Sequence, residues 1–405
     1  VLCYQVLKKD KPEEAGADRN LIFASAFCGI IFLLHPVALI TGAWTACRAD
    51  VLGGVFALLS LLILAREMKK EKISIRSLAL AQPLAILSYF SKESYFFLPL
   101  LAPALVIFSP GRRKENFRKM VLVFLSFALG FLVYLGLRLS LFGRFGGYEE
   151  FELSLSWLLP RFFYHFPRVI KKSLWDFIFW RAEPRSFAYH WILWSLLGFL
   201  ILSLPALARS LKLVFFSLCW MLFSLLPAWN LSHMFLYGES RLIFFSWMGF
   251  SLLLGGMIYH FRSRGIRSLG VCLLLPFLVF SARAGWKELF QLQKRSEEQK
   301  LVQDMILSRK SELKNAKRIY VLGLDCDYYY LDPMLKLKDP SLGDKLFIPV
   351  GIEGFAWIKS KYLKEYELKK ESRFLPRIKV LYRGEKWTNI SADAPQDLIL
   401  ARLND

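Results

Sequence analysis

Nine apolar runs punctuate this chain, beginning near Leu21, Val51, Ser77, Tyr95, Met120, Trp191, Leu211, Leu242 and Leu269. Each is roughly 15–23 residues long, near the length of helix that crosses a bilayer. The composition agrees: 55% of the residues are apolar and 16% aromatic, more than a soluble domain ordinarily carries. The expected fold class is therefore mostly α, a polytopic membrane helix bundle of about nine spans.

The net charge of +21 would raise the question of nucleic acid in a soluble protein. Here the bias of basic residues toward cytoplasmic loops accounts for it, and no nucleic-acid partner is expected. Arg66, Lys69, Lys70, Lys72 and Arg76 crowd one short loop, and Arg112, Arg113, Lys114, Arg118 and Lys119 another. Arg209 with Lys212, and Arg262, Arg264 and Arg267, mark two more. The intervening short loops carry few: Arg48 in one, Lys92 in the next and Arg241 at the edge of a third. That alternation puts loop 35–50, the turn Ser91–Ser94, segment 143–190, loop 228–241 and the C-terminal tail on the external face.

The bundle is expected over residues 1–283. Within it, segment 143–190 mixes aromatic and basic residues, is interrupted by Pro160 and Pro167, and reads as amphipathic helices lying in the membrane interface. A charged connecting helix is expected over 284–316. Strand-like runs at 319–324, 346–351, 377–384 and 397–403 predict a small α/β or α+β domain over 317–405. The chain opens at Val1 without a signal-peptide pattern, and its first residues resemble the tail of a span. It reads as an N-terminally truncated piece of a longer protein. The six cysteines form no CxxC pair, so neither a disulfide framework nor a zinc site is predicted, and the metal set is empty.

Chemistry concentrates in His35–Asp50, HPVALITGAWTACRAD, and in the turn SKES. Ionisable groups at a membrane boundary are costly and mark candidate sites. Arg48 and Asp50 either neutralise each other at the mouth of a span, with Asp50 capping the helix, or Arg48 meets a phosphate, which a guanidinium fits well. In the second case His35 orients a substrate oxygen. Lys92 is a second candidate phosphate contact, and Glu93 its partner or a catalytic carboxylate. Arg241 either pairs locally with Glu239 or grips phosphate across the cavity from Arg48. Asp325 and Asp327, spaced as a DxD, read as a turn after a strand.

The stretch LHPVALITGAWTACRADVLGG resembles, without a gap, a signature of the membrane O-mannosyltransferases that carry tetratricopeptide repeats, and of their bacterial relatives. SKESYFFLP and LLPAWNLSHMFLYGESRLIFFSWMGF are similar to two further segments of that family. The chain departs from the family in four places: its second histidine and its glutamate are Ala38 and Ile40, the glycine before Arg48 is Cys47, and its AER triplet is Glu239-Ser240-Arg241, which keeps the arginine but shifts the acid. The resemblance implies a type-C glycosyltransferase fold. The donor would be a polyprenyl-phosphate-linked sugar, the acceptor a hydroxyl of a protein or glycan, and the site would lie on the external face. It implies Arg48, Lys92, Arg241, Glu239 and Trp44 at the substrate, with His35, Asp50 and Glu93 in support. The general base would sit in an external loop upstream of Val1. No organic cofactor is implied, and a divalent cation stays open. With no repeats in the tail, the expected setting is a bacterial cytoplasmic membrane, multi-pass, with the C-terminal domain extracytoplasmic. Two readings from other classes compete: a multi-span transporter or lipid flippase, and a non-catalytic relative that binds envelope partners.

Overall fold

The computed structural model describes residues 2–7, 15–43, 47–109, 112–142, 155–179, 186–227, 243–261, 263–308, 318–322, 335–336, 338–342, 346–349, 388–389 and 397–401. The chain divides into two compact units, Val1–Leu289 and Phe290–Asp405.

The first unit is helical, as a chain of apolar runs must be if its backbone is to satisfy its own hydrogen bonds away from water. In order come α1 (Leu2–Leu7), α2 (Ala15–Leu34), α3 (Pro36–Ala43), α4 (Arg48–Glu67) and α5 (Ile75–Ser91). A 3₁₀ turn over Glu93–Phe97 leads into α6 (Leu98–Ala104), α7 (Arg113–Phe142) and α8 (Leu155–Phe179). Next come α9 (Phe187–Arg209), α10 (Leu211–Leu225), α11 (Phe244–Tyr259) and α12 (Arg264–Ser308), of which the residues from Phe290 on fall in the second unit. The ends follow local chemistry. Asp50 in the first turn of α4 and Arg66 in its last complement the helix dipole. Ser186 caps α9 by accepting from the Tyr189 N–H at 3.2 Å.

Where they are described, the nine apolar runs lie in helices, but fewer are long enough to cross a membrane unaided. Arg48–Glu67, Arg113–Leu141, Tyr189–Arg209 and Arg264–Lys294 qualify, and a fifth span forms if α2 and α3, bent by 65°, are taken together. At 1.5 Å per residue the 15 residues of α10 reach only about 22 Å, short of a hydrocarbon layer of about 30 Å. The count of nine therefore exceeds what helix length alone supports. On α7, Leu122, Leu125, Leu129 and Leu132 face outward while Val123 and Phe127 are buried. Such a wide exposed apolar surface belongs against lipid rather than water.

The core of this unit joins α4, α5, α6, α7, α10 and α11 through Leu61, Ala85, Leu101, Phe127, Trp220 and Phe245. α10 and α11 approach closely at Gly249, where a Cβ would stand 2.9 Å from the Trp220 ring. That indole also donates to the Phe245 carbonyl at 2.9 Å.

Two sequence expectations are corrected. Pro160 and Pro167 do not interrupt segment 143–190 where it is described: α8 runs through both as one helix of 25 residues. A proline removes one ladder bond and bends a helix, but packing along the rest holds it. Val169 and Ser173 of α8 are buried, while Phe163, Tyr164 and Trp175 stay exposed. The connecting helix expected at 284–316 is not a separate element either. It continues the ninth apolar run as α12, 45 residues without a break.

In the second unit β1 (Arg318–Leu322), β2 (Leu346–Pro349), β3 (Thr388–Asn389) and β4 (Asp397–Ala401) form one sheet in the order β2-β1-β4-β3. β1 pairs in parallel with β2 and with β4, with Ile319 opposite Phe347 and Leu398, and β3 runs antiparallel to β4. The expected strand at 377–384 and the Asp325-x-Asp327 turn lie outside the described residues.

Candidate functional site

The site starts at the first turn of α4. Cys47 and Asp50 turn inward and Arg48 outward. Asp50 is 4% exposed, low for a carboxylate beside an apolar core. Burying a charge there is tolerable only with a partner. A partner comes from the C-terminus of α5, at the same end of the α4–α5 pair: the Lys92 ammonium stands 3.9 Å from Asp50 Oδ2.

Lys92 arrives there because α5 stops abruptly. Its backbone is extended (φ −157°, ψ 124°), its N–H closes on the Ser88 carbonyl at 3.0 Å, and its own carbonyl accepts from Tyr95 N at 3.2 Å. This tight reversal turns Tyr95 back onto α4. The Tyr95 hydroxyl donates to the Asp50 carbonyl oxygen at 2.5 Å, and Ser88 Oγ donates to the Gly53 carbonyl at 2.9 Å. The tyrosine ring lies on Gly53, where a Cβ would fall 2.5 Å from Cε2, so only a glycine admits this approach. Phe245 of α11 closes the far side of the ring, edge on at 5.2 Å.

His35 sits in the bend between α2 and α3. It is 1% exposed, stacked on Trp247 with ring centroids 3.8 Å apart, and Phe277 lies 6.3 Å away. Its carbonyl accepts from Ala38 N and Leu39 N at 3.0 and 3.1 Å, and its Nδ1 accepts from Val37 N at 3.2 Å. The ring thus starts α3 and packs on aromatic surface.

Of the predicted site residues the structure brings together Asp50 and Lys92. Arg48 is exposed two positions before Asp50. The self-neutralising Arg48–Asp50 pair weighed from sequence gives way to Asp50 facing Lys92. Trp44, Glu239 and Arg241 lie outside the described residues, as does the side chain of Glu93, which is the first residue of the 3₁₀ turn. Among the described residues no three His, Cys, Asp or Glu side chains gather as a metal cluster. Sequence reasoning passed over Tyr95, Ser88 and Gly53, although Tyr95 directly follows SKES. It had no signal for Trp247, 212 positions from His35.

The N-terminus of a 20-residue helix, an exposed guanidinium and a lysine ammonium share this corner. Unpaired helix N–H groups and cations together favour an anion. Comparison with protein-family models, with characterised proteins and with solved structures found no match.

Proposed function

We propose that this membrane protein is a glycosyltransferase that moves a sugar from a polyprenyl phosphate to an acceptor hydroxyl at the external face. The observation that carries the reading is the 3.9 Å approach of Lys92 to Asp50. It joins the two stretches, 35–50 and 91–94, that resemble the O-mannosyltransferase signature.

In this reading Arg48 and Lys92 hold the donor phosphate at the mouth of α4. Asp50 fixes the lysine so that its charge is aimed before the lipid arrives, and preorganised charge is worth most where water is excluded. Arg241, Glu239 and Trp44 complete the grip from the other loops, and Glu93 orders the cavity. Transfer forms a bond from the acceptor oxygen to the anomeric carbon and breaks the bond from that carbon to the phosphate oxygen. The polyprenyl phosphate leaves, and the acceptor proton passes to a general base. The wider architecture proposed with it is a type-C bundle of about nine spans in a bacterial inner membrane, bearing an extracytoplasmic α/β or α+β domain.

The test is transfer of labelled mannose from undecaprenyl phosphate in proteoliposomes. Arg48→Ala and Glu93→Ala should each lower it at least about tenfold, the scale of one lost phosphate or acid–base contact. Unchanged transfer in both variants, with normal melting, removes the assignment.

A further inference from the structure

At the opposite ends of α4 and α5 the structure builds a second polar feature, which the proposed sugar transfer does not use. The connection after α4 exposes four cations, Arg66, Lys70, Lys72 and Arg76. The start of α7, more than thirty positions on, exposes Arg112, Arg113, Lys114 and Arg118. The exposed acids among them are Glu71 and Glu115.

These two cationic segments are latched together. Lys119 is 7% exposed, and its ammonium donates to the Lys70 carbonyl at 2.8 Å and to Ser109 Oγ at 2.6 Å. Glu67, also buried, accepts from the Ser74 N–H at 3.1 Å and pairs with Lys70 at 2.5 Å, which pins the first connection. Two buried charges are thus used to hold like charges side by side, an arrangement that repels itself unless anions lie against it. The first segment follows the candidate span Arg48–Glu67 and the second begins the candidate span Arg113–Leu141, so a membrane crossed by both spans would have the latched segments at one surface. Ile75 and Phe117 project outward beside Arg76 and Arg118. Apolar side chains alternating with cations at that level suit the boundary between acyl chains and headgroups.

We infer that the latched surface formed by the α4–α5 connection and the start of α7 is a binding site for acidic phospholipid headgroups. Clusters of four to eight Lys or Arg next to a membrane span are attracted to anionic lipid by roughly fivefold in affinity per residue. The phosphate-rich partner is taken to be lipid, because the cations flank spans and carry apolar neighbours. The inference stands whether or not the protein transfers sugar.

The test titrates the purified full chain, in mild detergent, with phosphatidylglycerol or phosphatidylcholine of matched acyl chains and counts bound lipid by native mass spectrometry. Phosphatidylglycerol should bind at least about fivefold more tightly. The variant R112Q/R113Q/K114Q/R118Q should lose that preference while its circular dichroism is unchanged, and K72Q/R76Q, on the other connection, should weaken it if the first variant fails to fold. R168Q/K171Q on α8 should keep it. Equal binding of the two lipids by the wild type, or a preference that survives both loop variants, overturns the proposal. So does tighter retention of a short DNA oligonucleotide than of phosphatidylglycerol at physiological salt.

Discussion

The indole N–H of Trp247 donates to the carbonyl oxygen of Phe32 at 3.1 Å. In an unbroken helix that carbonyl would accept from the residue four positions on, which here is Pro36 and has no N–H to give. A side chain from α11 therefore supplies the donor that the α2–α3 break removes, and the same indole stacks on His35 at the bend. The 65° turn between the two helices is held by one tryptophan used twice.

Trp247→Phe should lower stability by about 1–3 kcal/mol, because it strands a buried carbonyl. Pro36→Ala returns an N–H to that carbonyl. The double variant should then recover part of the loss, which denaturant titration in detergent reads as a favourable coupling energy.

His35→Ala removes a fully buried ring and should cost about 2–4 kcal/mol. His35→Phe keeps the stack on Trp247 and should cost less than about 1.5 kcal/mol. Melting of the two variants separates them, and equal losses would mean that the imidazole nitrogens, not the ring, carry the role.

Lys92→Met leaves the Asp50 carboxylate buried beside an apolar chain and should destabilise by about 2–3 kcal/mol. Asp50→Asn in the same protein removes the carboxylate charge that Lys92 faces. The pair should be less harmful than the sum of the single changes by at least about 0.5 kcal/mol, measured as a double-mutant cycle.

Gly53→Ala forces the Tyr95 ring off α4 and should cost about 1–3 kcal/mol. Gly42→Ala serves as the comparison, since a Cβ there meets nothing within 4 Å. Tyr95→Phe should lose about 1 kcal/mol with the Asp50 carbonyl contact. A Gly53→Ala protein that melts like wild type would contradict the close approach.

The Lys119 latch requires the connection after α4 and the start of α7 to share one side of the membrane. Cysteines placed at Lys72 and Lys114 should react with an impermeant maleimide from the same side of sealed vesicles, and one at Arg48 from the other. Labelling of Lys72 and Lys114 from opposite sides would break the topology and the latch together.

Much of the helical frame was legible in the sequence. The apolar runs near Val51, Met120 and Trp191 each became a helix long enough to cross a bilayer, and the alternating basic loops marked helix ends. Length was the weaker part. The runs near Leu211 and Leu242 gave helices of 15 and 16 residues, and apolarity alone does not say whether a helix that short crosses. Pro160 and Pro167 misled for a related reason: a proline's local penalty is fixed, but the packing of Val169 and Ser173 that offsets it is not written beside it.

The sequence by itself determined that this chain forms apolar helices, because backbone saturation and helix-end chemistry depend on residues a few positions apart. Only the tertiary structure decided that Asp50 meets Lys92, that Tyr95 folds back over Gly53, and that Trp247 mends the break at Pro36. Those contacts depend on which helix faces which. A helix that is apolar almost all round carries no stripe to announce its partner, so the choice is made by a glycine that admits a ring and by a carbonyl left without a donor.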